Sequence, residues 1–239
     1  MAKRTDGRPR HQQIAADLRA RIMSGELGPG TQLPSTPKLV AQYAAANATI
    51  QRALASLKDE GFLDSHIGKG VYVRARQPHV VDIAAYLAPS PRGYSYQLLD
   101  VREARPPADV AEALALADDD LAVLRHRLLL HADEPVELSW SYYPLQIVRG
   151  SDITKRGKIP GGAPRVLADL GYPQRELLDR LSARLPTTHE LELLDLPDDV
   201  PVIRQLRVIH SDGAQPVEAS ILVKGAHLYE LKYLQPIPH

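Results

Sequence analysis

The sequence predicts an α+β chain of two domains, in which a small helical domain with a β-hairpin precedes a larger antiparallel sheet flanked by helices. Helical periodicity extends to Gly61 and is followed by two short β-prone runs around a Gly-Lys-Gly tip. The second half contains an internal repeat. Charge is segregated, because residues 1–76 hold 12 Lys and Arg against 6 Asp and Glu, whereas the remainder holds 17 against 23. The predicted boundaries are 1–75 for the first domain, 76–96 for a linker and 97–239 for the second domain.

Composition excludes several classes of protein. With 239 residues, of which 44% are apolar, the chain can bury a core. The absence of cysteine excludes disulfides, thiolate nucleophiles and cysteine-based zinc sites. No uncharged apolar run could cross a bilayer, and the basic N-terminus lacks the apolar core of a signal peptide, so we expect a cytoplasmic protein without a membrane partner. The 9 histidines show no metal-ligand spacing, and we expect no metal and no other cofactor.

Three helices are predicted in the first domain. A basic arm, residues 1–9, precedes a helix that begins near His11 and ends at Gly25. After a turn forced by Gly28-Pro29-Gly30, Ser35 is positioned to cap a second helix. A few residues then lead into a third helix, so the order is that of a helix-turn-helix.

The third helix has two different faces. Asn47 or the turn before it is positioned to cap its start, and Gly61 ends it because glycine accepts the left-handed conformation. Its apolar side is formed by Ile50, Ala53, Leu54 and Leu57. Its outward side is short, polar and weakly basic, and is formed by Asn47, Ala48, Gln51 and Arg52. An ordinary surface helix would share this periodicity, so its neighbours decide the interpretation.

A β-hairpin is predicted directly after this helix. Two β-prone runs, 62–67 and 71–73, flank Gly68-Lys69-Gly70. The tip is compatible with a simple turn. After a helix-turn-helix, it is more typical of a wing whose glycines let the backbone lie close to DNA. The excess of Lys and Arg in this domain favours a polyanionic partner, although a solvated charged face would give the same count.

With this order of elements, residues 10–74 resemble the winged-helix domain of the GntR family of bacterial transcription regulators. The resemblance is carried by Gln13-Ile14, Ile22 to Leu27, Pro29-Gly30, Leu33-Pro34-Ser35, Ala48-Thr49-Ile50, Arg52-Ala53-Leu54, Leu57, Glu60-Gly61 and Gly68 to Val73. It implies that double-stranded DNA is bound through Ser35, Thr36, Lys38, Asn47, Ala48, Thr49, Gln51, Arg52, Gly68, Lys69 and Gly70. Pro37, Asn47 and Gln51 stand where arginine is common in the family, so the resemblance implies the fold and leaves the operator sequence open.

The second half is built from two similar copies. The run Asp119 to Arg125 is echoed by Asp198 to Arg204 at an offset of 79 residues, and Pro135 to Ser139 is echoed by Pro216 to Ser220 at an offset of 81. An amphipathic helix precedes each copy. A unit of strand, helix and hairpin used twice predicts one antiparallel sheet with pseudo-twofold symmetry. The proline-rich segment before the first copy lacks periodicity, which is typical of a linker.

Polar side chains alternate along the strands of this repeat. The alternation places on common strand faces Arg125 with Arg127, Glu137 with Ser139, and Glu218 with Ser220. If these faces meet at the pseudo-twofold centre, they offer arginines to an anionic group and carboxylates to hydroxyl or amine groups. Solvated outer faces of a half-exposed sheet would show the same alternation.

Residues 95–236 resemble the UTRA ligand-binding domain of the HutC branch of GntR regulators, through Asp133 to Glu137, Ser141 to Pro144 and Pro216 to Ser220. The resemblance implies a fold related to chorismate lyase, a homodimer, and a small-molecule effector between helices and sheet. Effectors in the family include sugar phosphates and amino-acid breakdown products. Carried onto this chain, the resemblance implies an anionic effector bound by Arg125, Arg127, Glu137, Ser139, Glu218, Ser220 and Tyr229. Ser139 stands where an acidic residue is common, so a sugar-type effector is not assumed.

These features predict a homodimeric DNA-binding transcription regulator, a repressor that leaves a palindromic operator when its effector binds. Two helix-turn-helix units on a dimer would read half-sites about 34 Å apart or less. One alternative is a DNA-binding repressor whose second domain only dimerises. Another is an enzyme related to chorismate lyase. No Ser-His-Asp or Cys-His arrangement can be assembled from the sequence, so we expect no catalytic activity.

Overall fold

The computed structural model describes residues 6–66, 68–74, 79–82, 93–197 and 200–232, with the backbone alone for 79–82. The chain divides into two compact units, Met1–Pro78 and His79–His239. Each unit has its own hydrophobic core. In these described ranges no helix is both long and apolar enough to cross a membrane.

Three helices and a hairpin form the first unit, in the predicted order. They are α1 (Arg10–Met23), α2 (Thr36–Tyr43), α3 (Asn47–Asp59), β1 (Leu63–His66) and β2 (Gly70–Val73). The two strands pair antiparallel, with Leu63 opposite Val73. The winged helix-turn-helix fold is therefore confirmed.

Residues in the left-handed conformation close both helices of the motif. Ala44 follows α2 with a φ of 46°, and Gly61 follows α3 with a φ of 75°. Gly61 is the residue predicted to end α3, because glycine adopts this conformation without a Cβ penalty. Ala44 has a Cβ and so bears a steric cost in this conformation, which the surrounding structure imposes because the connection to α3 is short.

The N-cap positions of α2 and α3 lie where the sequence predicts them, but neither residue makes a side-chain capping hydrogen bond. Ser35 occupies the N-cap position of α2, but its side chain makes no capping hydrogen bond. Ala46 occupies the N-cap position of α3 and has no polar group to cap with. The first backbone N–H groups of both helices are thus left to solvent or to a ligand.

The core of the first unit joins all three helices. Its most buried members include Ile14, Leu18, Leu39, Ile50, Ala53 and Leu57. An ion pair also links α1 to the end of α3, because Arg19 binds Glu60, whose side chain is 3% exposed. This core fixes the inner face of α3 and leaves its polar face outside.

One six-stranded antiparallel sheet organises the second unit. Its elements are β3 (His79–Asp82), β4 (Tyr94–Ala104), α4 (Ala108–Ala113), β5 (Ala122–His131), β6 (Glu134–Pro144), α5 (Leu145–Val148), α6 (Gly162–Asp169), β7 (Glu176–Arg184), α7 (Thr188–Leu193), β8 (Val202–His210), β9 (Pro216–Gly225) and β10 (Tyr229–Lys232). The strand order of the sheet is β4-β5-β6-β9-β8-β7. β3 and β10 pair in parallel as a separate ribbon. The predicted antiparallel sheet is confirmed.

The two copies of the repeat are the two halves of this sheet. The first copy is β4-α4-β5-β6 and the second is β7-α7-β8-β9, arranged in opposite order about the central pair β6 and β9. In that pair Trp140 lies opposite Ile221. These residues are equivalent at the 81-residue offset of the hairpins (221 minus 140), so the pseudo-twofold axis passes between them.

Strand register identifies a pair of equivalent arginines. Arg127 lies opposite Ser139 in the first copy, and Arg207 lies opposite Ser220 in the second. Ser139 and Ser220 are equivalent at the 81-residue offset. Arg207 is therefore the counterpart of Arg127.

The 79-residue offset seen in the sequence aligns β5 with β8 one residue away from their equivalence in the structure. The 79-residue offset equates Arg125 with Arg204. A shift of one residue moves a side chain to the other face of a sheet. Arg204 lies on the face covered by helices, where it pairs with Asp109 of α4, whereas Arg125 lies on the opposite face.

Paired strands occupy part of the segment predicted to be a linker. Strand β3 covers residues 79–82, and β4 begins at Tyr94, within the predicted range 76–96. Proline content did not indicate these strands, because the partner of β3 lies far away in sequence. Residues 76–78 and 83–92 of that range lie outside the described residues.

The two faces of the sheet are covered differently. α4 and α7 pack on one face, over apolar residues that include Leu124, Leu138 and Leu206. The segment from α5 to α6 packs over one end of the opposite face, against Val123 and Tyr143. The centre of this opposite face is polar and forms the floor of a cavity.

Candidate functional site

The outward face of α3 is exposed. Asn47, Ala48, Gln51 and Arg52 are exposed, and Thr49 is half-buried. Their side chains point away from the core because the other face of α3 is buried. Amide side chains can pair with adenine, and arginine can bind phosphate or guanine, so this face has the chemistry to read DNA.

The start of α2 lies beside this face. Gln51 Nε2 donates a hydrogen bond to Thr36 Oγ1 at 3.1 Å. Ser35 and Lys38 are exposed at the same end of α2, and Thr36 is half-buried. The bond holds the Gln51 amide in one orientation and brings together two helices to which the sequence analysis assigned DNA contacts.

The wing presents a lysine between two glycines. Gly68, Lys69 and Gly70 are exposed. The φ angles of Gly68 and Gly70 are 73° and 115°, which side chains other than glycine rarely adopt. A lysine on such a tip can reach a phosphate. Every residue to which the resemblance assigns a DNA contact is thus exposed or half-buried, and none lies in the core.

A cavity of about 610 Å³ lies over the polar centre of the sheet in the second unit. Strands β5, β6, β8 and β9 form its floor, and residues 159–164, which include the start of α6, form part of its wall. Six of the predicted effector residues line it, namely Arg125, Arg127, Glu137, Ser139, Glu218 and Ser220. They converge because β6 and β9 are the central neighbours of the sheet.

Tyr229 does not line this cavity. It is 7% exposed and packs with Val136 and Leu228 at the start of β10. Its ring centroid lies 5.1 Å from Lys224 Nζ. The structure therefore places Tyr229 behind the cavity wall, next to a lysine that contacts a wall residue.

The guanidinium group of Arg125 binds the backbone of the segment after α5. Nη1 donates to the carbonyl oxygens of Ile153 at 2.9 Å and Lys155 at 2.8 Å, and Nη2 donates to that of Gly157 at 2.6 Å. Arg125 is 1% exposed, and burial lowers its pKa, as does the neighbouring Arg127 to a lesser extent. These bonds hold the segment against the sheet, so Arg125 builds the wall of the cavity.

A hydrogen-bond chain crosses the centre of the cavity floor. Arg127 Nη2 donates to Ser141 Oγ at 2.6 Å, and Ser141 Oγ lies 2.6 Å from Ser220 Oγ. Ser220 donates to Glu218 Oε1 at 2.8 Å, so the hydrogen between the two serines comes from Ser141. Glu218 is 4% exposed, and within the described residues its Oε2 has no hydrogen-bond partner. That oxygen can accept a hydrogen bond from a ligand.

The carboxylate of Glu137, the second in the cavity, is neutralised by a buried lysine on the neighbouring strand. Glu137 Oε2 lies 2.5 Å from Lys224 Nζ, and Lys224 also donates to Gln205 Oε1 at 3.2 Å. Lys224 is 1% exposed. Sequence reasoning did not select it, although Lys224 continues the period-2 alternation of Glu218 and Ser220 along β9.

Arg207 is a cavity residue that sequence reasoning also missed. It lines the cavity and forms a two-pronged ion pair with Asp179 of β7, at 2.8 and 2.7 Å. Arg127, its counterpart, has Leu98 of β4 at the corresponding position. The cavity therefore departs from twofold symmetry, because the edge strands place Asp179 opposite Arg207 and Leu98 opposite Arg127. A signal for Arg207 was available in the intermediate offset of 80 residues from Arg127.

The chemistry of the cavity suits a polar small molecule. Arginine supplies hydrogen-bond donors with charge, and Glu218 supplies a buried acceptor. Tyr143 also lines the cavity, and burial, followed by the charge of Glu218, raises the pKa of its hydroxyl, so it is protonated at neutral pH. Across the described ranges, no group of His, Asp and Glu side chains could hold a metal ion.

Two family profiles match the chain. Residues 10–73 match the gntR family of bacterial regulatory proteins, and residues 91–230 match the UTRA domain. These ranges contain the winged helix-turn-helix and nearly all of the second unit.

Curated relatives match over most of the chain. An uncharacterised HTH-type transcriptional regulator of Streptomyces coelicolor is 28% identical, covering 96% of this chain and 94% of the relative. The HTH-type transcriptional regulator GgaR of Escherichia coli K12 is 23% identical, covering 94% and 90%. The histidine utilization repressor of Klebsiella aerogenes is 30% identical over 133 residues, which are 54% of each chain.

Solved structures share the fold. A GntR-family transcriptional regulator matches with a TM-score of 0.63 at 23% identity, covering 97% of this chain and 99% of its own. PhnF from Mycobacterium smegmatis matches with a TM-score of 0.59 at 18% identity, covering 94% and 100%. The UTRA match spans more than half of the chain, and together with the match at the winged helix-turn-helix it shows that this chain belongs to the GntR family of bacterial regulatory proteins, in the HutC-like branch with a UTRA domain, and is a DNA-binding transcription regulator.

Proposed function

We propose that this regulator is a homodimeric repressor that leaves a palindromic operator when a small anionic effector occupies the cavity of its second unit. The observation that carries the proposal is the chain from Arg127 through Ser141 and Ser220 to Glu218. It brings a cation and a buried acceptor oxygen, at the two ends of the chain, to one cavity of about 610 Å³. Such convergent polar groups in a concave site are typical of ligand recognition.

The arrangement supports an effector with two different polar groups. An anionic group, such as a carboxylate or phosphate, would bind Arg127, which lines the cavity and donates into the hydrogen-bond chain on its floor. A hydroxyl or amine of the same molecule would donate to Glu218 Oε2. Ser139 would add a hydroxyl contact.

The proposed DNA contacts follow the geometry of the first unit. Asn47 and Gln51 would read base edges from the exposed face of α3. Arg52 and Lys69 would bind phosphates, as would the uncapped start of α2 with Ser35, Thr36 and Lys38. A dimer would place two such surfaces on half-sites of one palindrome, about 34 Å apart or less.

Effector binding must favour one arrangement of the protein over another to release DNA. The ribbon of β3 and β10 offers a route for this, because β10 begins at Tyr229 behind the cavity wall and pairs with β3. β3 follows the winged helix-turn-helix in the chain after residues 75–78. A coupling free energy of about 1–3 kcal/mol would change operator affinity roughly 5- to 150-fold.

The proposal is tested in two steps with the full chain. A thermal-shift screen of anionic metabolites should find a ligand that, at a hundred times its dissociation constant, stabilises the protein by about 2.7 kcal/mol. Arg127→Met should abolish that shift. Arg102→Met, which removes an exposed arginine of β4, should leave it unchanged.

The second step uses reciprocity. An operator is first selected from random duplexes, and the ligand is then titrated calorimetrically into protein with and without that operator. Thermodynamic linkage requires that the operator and the effector each weaken the binding of the other by the same factor. Equal affinities would favour the alternative in which the second unit only dimerises. Chemical conversion of the ligand during incubation would favour the enzyme alternative.

A further inference from the structure

We propose that Gln32 is a positioning residue that fixes the tip of the wing and so directs Lys69 toward a DNA phosphate. Gln32 lies in the connection between α1 and α2 and is exposed. It belongs to none of the residues assigned above to DNA. The inference rests on the phosphate contact proposed for Lys69.

The wing tip is held by two side chains through one carbonyl oxygen. Gln32 Nε2 donates to the carbonyl oxygen of Lys69 at 2.7 Å, and the Tyr72 hydroxyl donates to the same oxygen at 3.1 Å. A carbonyl oxygen has two lone pairs, so its capacity is filled. The backbone of Gln32 also forms an antiparallel bridge with Tyr72. The tip is therefore held from within the hairpin by Tyr72 and from outside it by Gln32.

The glycine next to Lys69 leaves room for this contact. A Cβ at Gly70 would lie 2.7 Å from Gln32 Nε2, closer than such atoms can approach. A Cβ at Gly68 would meet nothing within 4 Å. The two glycines of the tip thus differ, because Gly70 is required both for its φ of 115° and for the approach of the Gln32 amide.

Holding the tip matters because the hairpin is short. Each of its strands has four residues, and a two-stranded hairpin of this size is marginal without other support. A tip that is ordered before binding loses less conformational entropy when it meets DNA, so affinity rises without a new contact. Gln32 lies three residues before Ser35, at the start of α2, so it also relates the wing tip to another proposed phosphate contact.

The test combines two substitutions in the full chain. Gln32→Met keeps the length of the side chain and removes the donor, Lys69→Ala removes the proposed phosphate ligand, and the double variant combines them. Thr31→Ala, at the exposed neighbour, is the control. Affinity for a selected operator and for an unrelated duplex is measured across a range of salt concentrations.

Lys69→Ala should weaken binding to both duplexes by up to about eightfold at 0.1 M salt, which corresponds to one phosphate contact with a slope of about 0.9. Gln32→Met should weaken binding by most of the factor expected for Lys69→Ala. The double variant should bind no more weakly than Lys69→Ala, and Thr31→Ala should bind like wild type. Amide hydrogen exchange of Lys69 and Gly70 should accelerate in Gln32→Met at an unchanged melting temperature.

Wild-type affinity in Gln32→Met would overturn the inference, and so would additive losses in the double variant. If Lys69→Ala has no effect while Gln51→Ala still alters sequence preference, Lys69 does not bind a phosphate, and the inference about Gln32 is wrong as well. The proposed reading of DNA by α3 would then stand.

Discussion

At the scale of single residues, the partners of a guanidinium group decide what it can do. Arg125 and Arg127 lie two positions apart on one strand, so both point into the same cavity. Arg125 donates hydrogen bonds to three backbone carbonyl groups, whereas Arg127 donates to the hydroxyl of Ser141. The sequence analysis could not separate these roles, since the carbonyls belong to a segment 28 to 32 residues further along.

Substitution should separate the two arginines. We expect Arg125→Met to lower the free energy of unfolding by on the order of 3 kcal/mol, because several buried carbonyls lose a charged donor at once. Arg127→Met should lower it by less than about 1 kcal/mol, while removing the ligand-induced thermal shift. Urea denaturation of the two variants measures this order directly. A larger loss for Arg127→Met would mean that the two roles are reversed.

His126 should make stability depend on pH. Burial lowers its pKa to about 4, with a further lowering by His189 of α7 and an opposing effect of Asp100 on β4. Its ring stacks on Trp140, with centroids 4.5 Å apart. In the unfolded chain the pKa is about 6.5. Between these values the unfolded state binds more protons, so stability is fully present above pH 6.5 and is lost as the pH falls toward 4.

The loss should have a slope of at most about 1.4 kcal/mol per pH unit, which is the limit for uptake of one proton. Denaturation curves between pH 4 and 7 measure it for wild type and His126→Phe, the variant without this titration. If His126→Phe loses stability with acid as steeply as wild type, other groups cause the dependence.

At the scale of secondary-structure elements, α2 and α3 meet through Thr36 and Gln51. Gln51→Ala should relax base preference at one operator position by about 1–3 kcal/mol, because a two-pronged amide contact is lost. Thr36→Val should relax the same position less, since the amide remains but is no longer oriented. Arg52→Ala should weaken all sequences alike. Binding to a panel of single-base operator variants measures these profiles, and an unchanged profile for Gln51→Ala would remove it from the reading residues.

Elements formed by local signals were predictable, and those formed by distant pairing were not. The ends of α3 and the hairpin follow from Gly61 and from the two glycines of the wing. Strand β3 was missed because its partner, β10, lies about 150 residues away, and local composition carries no sign of it. The central sheet was predictable because its two copies are visible in the sequence.

The cavity was predictable to the extent that alternation along a strand fixes a face. Glu137, Glu218 and Ser220 face one space because they alternate on adjacent strands. Arg207 was missed because the 79-residue offset equates Arg127 with Leu206, one position before Arg207 and on the opposite face of the sheet. Tyr229 was assigned to the effector through a resemblance alone, and the structure places it behind the wall.

At the scale of the whole molecule, a charged contact connects the cavity wall to the ribbon near the start of the second unit. Glu137 lines the cavity and binds Lys224, whose ammonium lies 5.1 Å from the ring centroid of Tyr229. Tyr229 opens β10 and lies opposite His79 of β3. Since β3 follows the DNA-binding unit in the chain, this contact lies on the route that we propose for coupling effector binding to DNA release.

The last prediction tests this route with two tyrosines of similar burial. Tyr229→Leu should leave effector affinity in the absence of DNA within about threefold, because Tyr229 does not line the cavity, and should move the coupling factor toward one. Tyr142→Leu, at a residue 6% exposed against 7% for Tyr229, should destabilise the unit similarly and keep the coupling, because Tyr142 packs under α4 on the other face. Effector titrations of both variants, with and without operator, give the factor for each. If Tyr229→Leu retains full coupling, the signal does not pass through β10. If both variants lose coupling alike, coupling depends on the stability of the unit rather than on the contact between Lys224 and Tyr229.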